Sequence, residues 1–287
     1  MIKQLKNILL SYIPDEYYLK YQFFKHFGKS CDLKRPLSFN EKLQWLKLNN
    51  RKKEYITLVD KYKVRDYIAT TIGKQYLVPL YGVWDSTSEI NYALLPNQFV
   101  LKTTHDSGGV IICKDKSSFD IDSANKFLTR HLKERVFNRT REWPYKDVKP
   151  RIICEALLSD NNNDSIKDYK FFCFNGVPRF LKVDFNRYTH HQANYYSPKW
   201  ELLPFGEEIC PPDFKHIEPE PDNLSEMLVL AAQLSSGIPF LRVDFYNIDG
   251  KIYFGELTFF PYSGFGKFVP KSYDTTIGQM LVLPING

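Results

Sequence analysis

The sequence predicts an α+β fold in which a helical N-terminal region precedes mainly antiparallel hairpins. Helical periodicity runs to about residue 75, short β-type runs begin at residue 76, and Asn175-Gly176 and Asp249-Gly250 each sit as turn dipeptides between apolar runs. With 287 residues, 43% of them hydrophobic and 16% aromatic, the chain can bury a substantial core, which excludes a disordered protein.

The elements follow in order. Ser38 precedes Glu41 by three, the spacing of a capping box, and Leu43, Trp45, Leu46 and Leu48 follow it. Ile56, Leu58, Val59, Tyr62, Val64 and Ile68 continue a helical apolar face, with Gly73 as the stop. Residues 76–83 (YLVPLYGV) and 98–103 (QFVLKT) read as strands, and 110–113 (VIIC) answers the second across a tight polar turn. A helix is expected over 121–138, then strands over 151–157, 169–174 and 177–183, with 159–164 (SDNNND) as an exposed turn. Residues 224–234 form an amphipathic helix ending near Gly237, and 241–246 with 251–257 form the last hairpin. This order divides the chain into a helical region over 1–75, a small subdomain over 76–157 and a larger one over 158–287.

The charge is uneven. Of 39 basic and 33 acidic side chains, residues 1–80 hold 16 and 7, so the rest of the chain is slightly acidic. Local basicity argues against a nucleic-acid-coating surface. The five cysteines are scattered with no CxxC spacing, which argues against a disulfide framework and a zinc site and points to reduced thiols in a cytoplasmic protein. Lys6, Asn7, Pro14, Asp15 and Glu16 interrupt the apolar N-terminus, so no signal-peptide core is expected there, nor a membrane span anywhere. The basic leader is either a helix docked on the core or a peripheral contact with an anionic inner-membrane face.

Three clusters carry chemistry. In the first, a strand delivers Lys102 and the turn Ser107-Gly108-Gly109 follows. Glycines let backbone N–H groups approach phosphates, and a strand-borne lysine adds fixed positive charge. A plain Gly-Gly hairpin turn beside an exposed lysine would look the same, and GxxxxGK[ST] is absent. In the second, alternation puts Arg242 and Asp244 on one face of a strand, and Glu256 and Thr258 on one face of its hairpin partner. Acids set in such apolar runs are costly to bury. They can hold Mg²⁺, which bridges to nucleotide phosphates, or make a structural salt bridge. The third cluster is Glu155 at the end of one strand with Asp168 and Lys170 at the start of the next, suited to ribose and adenine contacts or to ordinary surface charge. On the acceptor side, Arg187, Tyr188 and His190 suit a sugar carboxylate or an exposed loop, and His105 suits phosphate or a plain turn. Asp120-Ile121-Asp122, the one Asp-x-Asp weighed as a nucleotide-sugar motif, falls at an expected helix start.

Taken in order, these pieces resemble the ATP-grasp superfamily, in two subdomains that clamp ATP. The stretches SFNEKLQWLKLNN, LVDKYKVRDYI, LPNQFVLKTTHDSGG, DYKFFCFNG and FGELTFFPYSGFG resemble its TupA-like branch, found in teichuronopeptide, capsule and lipopolysaccharide gene clusters. The resemblance implies that Lys61 and Lys102, with Arg65 nearby, meet ATP phosphates, and that Ser107, Gly108 and Gly109 cover the γ-phosphate. It further implies that Glu155 and Asp168, beside Lys170, hold adenine and ribose. Asp244 and Glu256 would bind Mg²⁺ and Arg242 would steady an acyl-phosphate. Thr258 stands where most members place a metal-binding asparagine. The implied activity joins an amino acid to a uronic-acid sugar or surface polysaccharide. A glycosyltransferase and a noncatalytic anionic-glycan binder are the alternatives.

Overall fold

Side-chain caps coincide with apolar periodicity at the starts of two helices, at Ser38 and Asp120. The computed structural model describes residues 12–159, 166–186 and 190–284. In it, α1 (Asp15–Phe27) carries acids in its first turn and Lys25 and His26 in its last, matching the helix dipole. In α2 (Phe39–Asn49) the capping box closes: the Glu41 amide donates to Ser38 Oγ at 3.3 Å, and the Ser38 amide donates to Glu41 Oε2 at 3.0 Å. The apolar face expected over 56–68 is divided between α3 (Glu54–Val59) and α4 (Val64–Thr71). Asp60 breaks it, because its extended backbone ends α3 and its Oδ1 accepts from the Tyr62 and Lys63 amides at 2.9 and 3.2 Å.

Next come β1 (Leu80–Trp84), β2 (Phe99–Thr103), β3 (Val110–Cys113), α5 (Ile121–Leu132), α6 (Val136–Thr140) and β4 (Ile152–Ala156). The strand expected from residue 76 starts at Leu80, since 74–76 turn in a 3₁₀ helix and Pro79 has no amide for a ladder. The helix expected over 121–138 stops at Leu132 and resumes as α6 beyond an extended Arg135. Asp120 is the N-cap of α5, accepting from the Ser123 amide at 2.9 Å.

The remaining elements are β5 (Asp168–Phe174), β6 (Val177–Phe185), β7 (Gln192–Tyr196), β8 (Gly206–Glu207), α7 (Leu224–Ser235), β9 (Phe240–Ile248), β10 (Lys251–Thr258), β11 (Phe268–Val269) and α8 (Tyr273–Met280). Both turn dipeptides adopt the left-handed backbone of a tight hairpin, with φ of 50° and 82° at Asn175-Gly176 and 49° and 76° at Asp249-Gly250. Among these, β7, β8, β11 and α8 carry too few regular apolar repeats to be predicted.

Two compact units result, one of residues 1–51 with 160–287 and the other of residues 52–159. The divisions expected at 75 and 157 therefore move, and the helical region is split at 51. The reason is side-chain anchoring of α2 to the C-terminal part. Gln44 Nε2 donates to Gly264 O and Lys47 Nζ to Ser263 O, both at 2.7 Å, while Asn40 Nδ2 donates to Asp274 Oδ1 at 2.9 Å.

In the smaller unit the antiparallel sheet runs β1-β4-β2-β3. Phe99, Leu101, Cys154 and Leu128 of α5 pack together in its core. By the two-residue period, Lys102 and Glu155 stand on the opposite face. In the larger unit the antiparallel order is β10-β9-β5-β6-β7. One face, with Phe171, Cys173 and Val243, meets α7, whose Ala231 carbonyl lies 3.8 Å from Cys173 Sγ. On the other face Phe39 of α2 packs on Phe174 and Phe240 at one end. The other end of that face carries charges.

Candidate functional site

In the smaller unit, diagonal neighbours on adjacent strands bring Lys102 and Glu155 together. Lys102 Nζ donates to Glu155 Oε2 at 2.8 Å, and Arg65 of α4 donates to Glu155 Oε1 at 2.8 Å and to the Val78 carbonyl at 2.9 Å. The carboxylate thus fixes two cations beside each other on the face away from the core.

The glycine turn is tied down by Asp106, whose importance the sequence concealed. Its Oδ1 accepts from Thr103 Oγ1 and from the Gly109 amide at 3.0 Å, and its Oδ2 pairs with His131 Nδ1 of α5 at 2.6 Å. Burial works against the charged form, yet these hydrogen bonds outweigh it and hold the Asp106 carboxyl below its ordinary range. A Cβ at Gly109 would overlap the Thr103 hydroxyl, so glycine is required there for the close approach. Ser107 and Gly108 are exposed at the tip. Lys61 joins the same turn: its amide donates to Thr104 O at 3.1 Å and its Nζ to the Asp106 carbonyl. Asp60 is oriented by Arg151, which donates to its Oδ2 at 2.8 Å. His105 is buried, which pushes its imidazole below the usual range and keeps it neutral at neutral pH; it faces the Glu134 carbonyl at 3.2 Å rather than the turn's exterior.

In the larger unit, a β-bulge decides the geometry. Phe254 pairs with Phe245, but Glu256 pairs with Asp244, so Gly255 is an extra residue. Without it Glu256 would oppose Val243 and point to the other face. With it, Glu256 and Thr258 stand beside Asp244 and Arg242. Arg242 donates from Nε and Nη2 to the two Asp244 oxygens at 2.7 and 2.6 Å, and Nη2 also donates to Glu256 Oε1 at 2.9 Å and Thr258 Oγ1 at 3.1 Å. Burial, reinforced by Glu256, pushes the Asp244 carboxyl up to about 6 despite the guanidinium. Asp244 is 4% exposed as a side chain and Glu256 44%, so the pair opens to solvent at Glu256. These donors fit Mg²⁺: all are oxygens, and each carboxylate keeps lone pairs beyond those the guanidinium uses.

The same face continues across β5 and β6. Lys170 lies opposite Asp244 on one side and Lys182 on the other. Lys170 Nζ donates to Asp168 Oδ2 at 2.9 Å and to Asp184 Oδ2. Lys182 Nζ donates to Glu207 Oε2 at 2.7 Å and to the Tyr262 hydroxyl at 3.0 Å. Burial opposes the Lys182 ammonium, but the Glu207 and Asp184 carboxylates outweigh it and keep it charged. Asp168 and Lys170 thus meet each other and Asp184, while Glu155 belongs to the other unit. Lys182, Asp184 and Glu207 were missed by sequence reasoning, while Tyr262 belongs to an aromatic stretch, residues 259–266, that the sequence suggests could stack on a sugar ring or roof the site. The pattern FLKVDF of β6 repeats the alternation of LRVDF in β9, the signal that could have found the first two. His190 is exposed, and Arg187 lies outside the described residues.

The family described as TupA-like ATPgrasp matches residues 41–282. No curated protein matches the chain. Among solved structures, it resembles a D-alanine–D-alanine ligase from Bacillus anthracis at 16% identity and TM-score 0.41, over 78% of this chain and 65% of that one. It also resembles N5-carboxyaminoimidazole ribonucleotide synthetase (purK) in complex with ADP at 16% identity and TM-score 0.43, over 77% of this chain and 51% of that one. A third is a RimK domain ATP-grasp protein from Sphaerobacter thermophilus, at 12% identity and TM-score 0.42, over 81% and 70%. The chain spans just under two thirds of the first of these and about half of the second.

Proposed function

This chain belongs to the TupA-like ATP-grasp family, and we propose that it is an ATP-dependent carboxylate-amine ligase joining an amino acid to a uronic-acid sugar or surface polysaccharide. The observation that carries the reading is the Arg242, Asp244, Glu256 and Thr258 cluster, assembled on one sheet face by the bulge at Gly255. Such a set is costly unless it serves a ligand.

Phosphoryl transfer to a carboxylate requires positioning and charge neutralisation more than a protein nucleophile. Lys102, held by Glu155, and Lys61, held at the glycine turn, supply positive charge for the ATP phosphates. Exposed Ser107 and Gly108 offer backbone N–H groups to the terminal phosphate. Asp244 and Glu256, with the weaker donor Thr258, would hold Mg²⁺, which when bound neutralises charge on the transferring phosphoryl group. Arg242 then steadies the acyl-phosphate until an amine attacks its carbonyl, expelling phosphate and leaving an amide.

The leader fits the role of a surface contact. Tyr17, Tyr21 and Phe24 form an exposed stripe on α1 at helical spacing, with Lys20 and Lys25 beside it, which suits an anionic membrane face or glycan. No helix among the described residues is long and apolar enough to cross a membrane.

The test is ADP formation from Mg-ATP with amino acids and uronic-acid acceptors screened in pairs. ADP that depends on both substrates supports the ligase. Release of a nucleoside diphosphate from a UDP-sugar without ATP consumption would favour a glycosyltransferase. Failure of Mg-ATP to bind or to raise the thermal midpoint would end the proposal.

A further inference from the structure

Beyond the nucleotide-facing cluster, the charged end of the large sheet holds three side chains of different metal affinity. Asp184 of β6, His191 at the entry to β7 and Cys210 beyond β8 place one ligand atom each within 4.8 Å of one another. His191 Nε2 lies 3.1 Å from Asp184 Oδ1 and 3.7 Å from Cys210 Sγ. Around one tetrahedral Zn²⁺ with ordinary bond lengths, the separations should be about 3.4 Å between N and O ligands and about 3.6 Å between N and S. The first edge therefore already matches. Cys210 Sγ lies 3.5 Å from Nδ1 as well, over the ring face, so the partly exposed imidazole must turn to aim one nitrogen at an ion shared with the thiol. The third edge, between Asp184 and Cys210, lies within 4.8 Å and closes with a movement of about 1.2 Å or less.

Charged and polar side chains surround the three. Lys170 Nζ bonds Asp184 at Oδ2, while Oδ1 faces His191 and lies 3.7 Å from Lys182 Nζ, and these contacts orient the carboxylate. The nearby ammonium groups do not stand alone against a dication: Lys170 also bonds Asp168, and Lys182 bonds Glu207 at 2.7 Å. The Tyr262 hydroxyl lies 3.9 Å from Cys210 Sγ, within reach of a thiolate acceptor after slight movement. Asp184 and Cys210 are buried, whereas the His191 side chain is 37% exposed and provides the entry path.

We propose that Asp184, His191 and Cys210 bind one Zn²⁺ through a carboxylate oxygen, an imidazole nitrogen and a thiolate, with a fourth position open to water. Binding converts the Cys210 thiol to a Zn–S bond and releases its proton to solvent. A thiolate among the ligands selects a borderline-soft ion over Mg²⁺, so this centre is chemically separate from the oxygen-only set at Asp244 and Glu256. The scattered cysteines gave no CxxC spacing. Here the ligands come from three separate segments that only the folded sheet brings together.

Untagged full-length protein, stripped with a chelator and then exchanged into buffer, is titrated with Zn²⁺ against a chromophoric competitor and with Co²⁺ by absorbance. One equivalent of Zn²⁺ is expected, unaffected by millimolar Mg²⁺, together with a thiolate-to-Co²⁺ charge-transfer band. Cys210→Ala and His191→Ala should each weaken Zn²⁺ by more than about 100-fold, beyond the loss typical of outer-shell changes. Asp244→Asn should leave the stoichiometry at one. If Cys210→Ala fails to fold, the partly exposed His191→Ala decides. The proposal is overturned if the wild type binds less than half an equivalent, if the Co²⁺ form lacks the thiolate band, or if His191→Ala binds as tightly as wild type.

Discussion

Replacing Asp106 by alanine removes the acceptor of three donors, of which Thr103 Oγ1 keeps a longer bond to the Gly109 carbonyl at 3.4 Å. Asp106 is 5% exposed, and it accepts from Thr103 Oγ1, from the Gly109 amide at 3.0 Å and from His131 at 2.6 Å. Each buried group left without a partner costs about 1–3 kcal/mol, and the His131 side chain, 16% exposed, can turn partly to water, so a loss of about 3–5 kcal/mol is expected. Asp106→Asn keeps an oxygen for Thr103 and Gly109 and presents an N–H to His131 Nδ1, which accepts in the alternative tautomer, so about 1–2 kcal/mol is expected. The pH dependence has a definite sign. Burial opposes ionisation of Asp106, but its hydrogen bonds lower the folded-state value below the unfolded one. Its stabilisation is therefore fully present above the unfolded value and lost as pH falls through the folded one. Urea denaturation followed by tryptophan fluorescence at neutral and acid pH measures all three proteins. An alanine variant within about 1 kcal/mol of wild type, or an aspartate advantage over asparagine that grows toward acid, refutes this account of how the glycine turn is held.

Two further substitutions separate folding from ligand binding. In Lys102→Met, Glu155 keeps its bond to Arg65, so stability should change by less than about 1 kcal/mol, while ATP affinity measured by calorimetry should fall about tenfold or more as a charge-assisted contact is lost. Equal ATP affinity would remove Lys102 from the phosphate site. In Gly255→Val, the new Cβ would lie 3.0 Å from the Asp244 carbonyl oxygen, on backbone that cannot step aside without disturbing the bulge. A destabilisation of about 1–3 kcal/mol is expected, with a smaller Mg-dependent thermal shift than wild type. An unchanged Mg-dependent shift would show that the bulge does not set the positions of Glu256 and Thr258.

Much of the fold was legible because local rules and tertiary demands agree. The Ser38 capping box, both hairpin dipeptides and the strands carrying Lys102, Glu155 and Arg242 stand close to where periodicity put them. Elements failed where a single residue interrupted a pattern, as Asp60 divides one helical face and Arg135 another. Short pieces such as β8 and β11 are too brief to show a period and exist because they pair with each other.

What the sequence determined alone is side chemistry at alternating or helical positions, because strand and helix periods are set by the backbone itself. That suffices to put Arg242 and Asp244 on one face and Glu256 and Thr258 on another. Whether those two faces coincide depends on the register across the hairpin, which the extra residue at Gly255 shifts by one. Tertiary structure likewise decided that Asp106 should meet His131, that Lys182 and Asp184 should extend the charged face, and that Cys210 should stand beside His191. Asp106 and His131, like His191 and Cys210, are far apart in the chain, so no local preference encodes their meeting. Lys182 and Asp184 share one face of β6 by alternation, and only the strand order sets that face beside Lys170 and Asp244. These arrangements follow from where apolar faces must be buried.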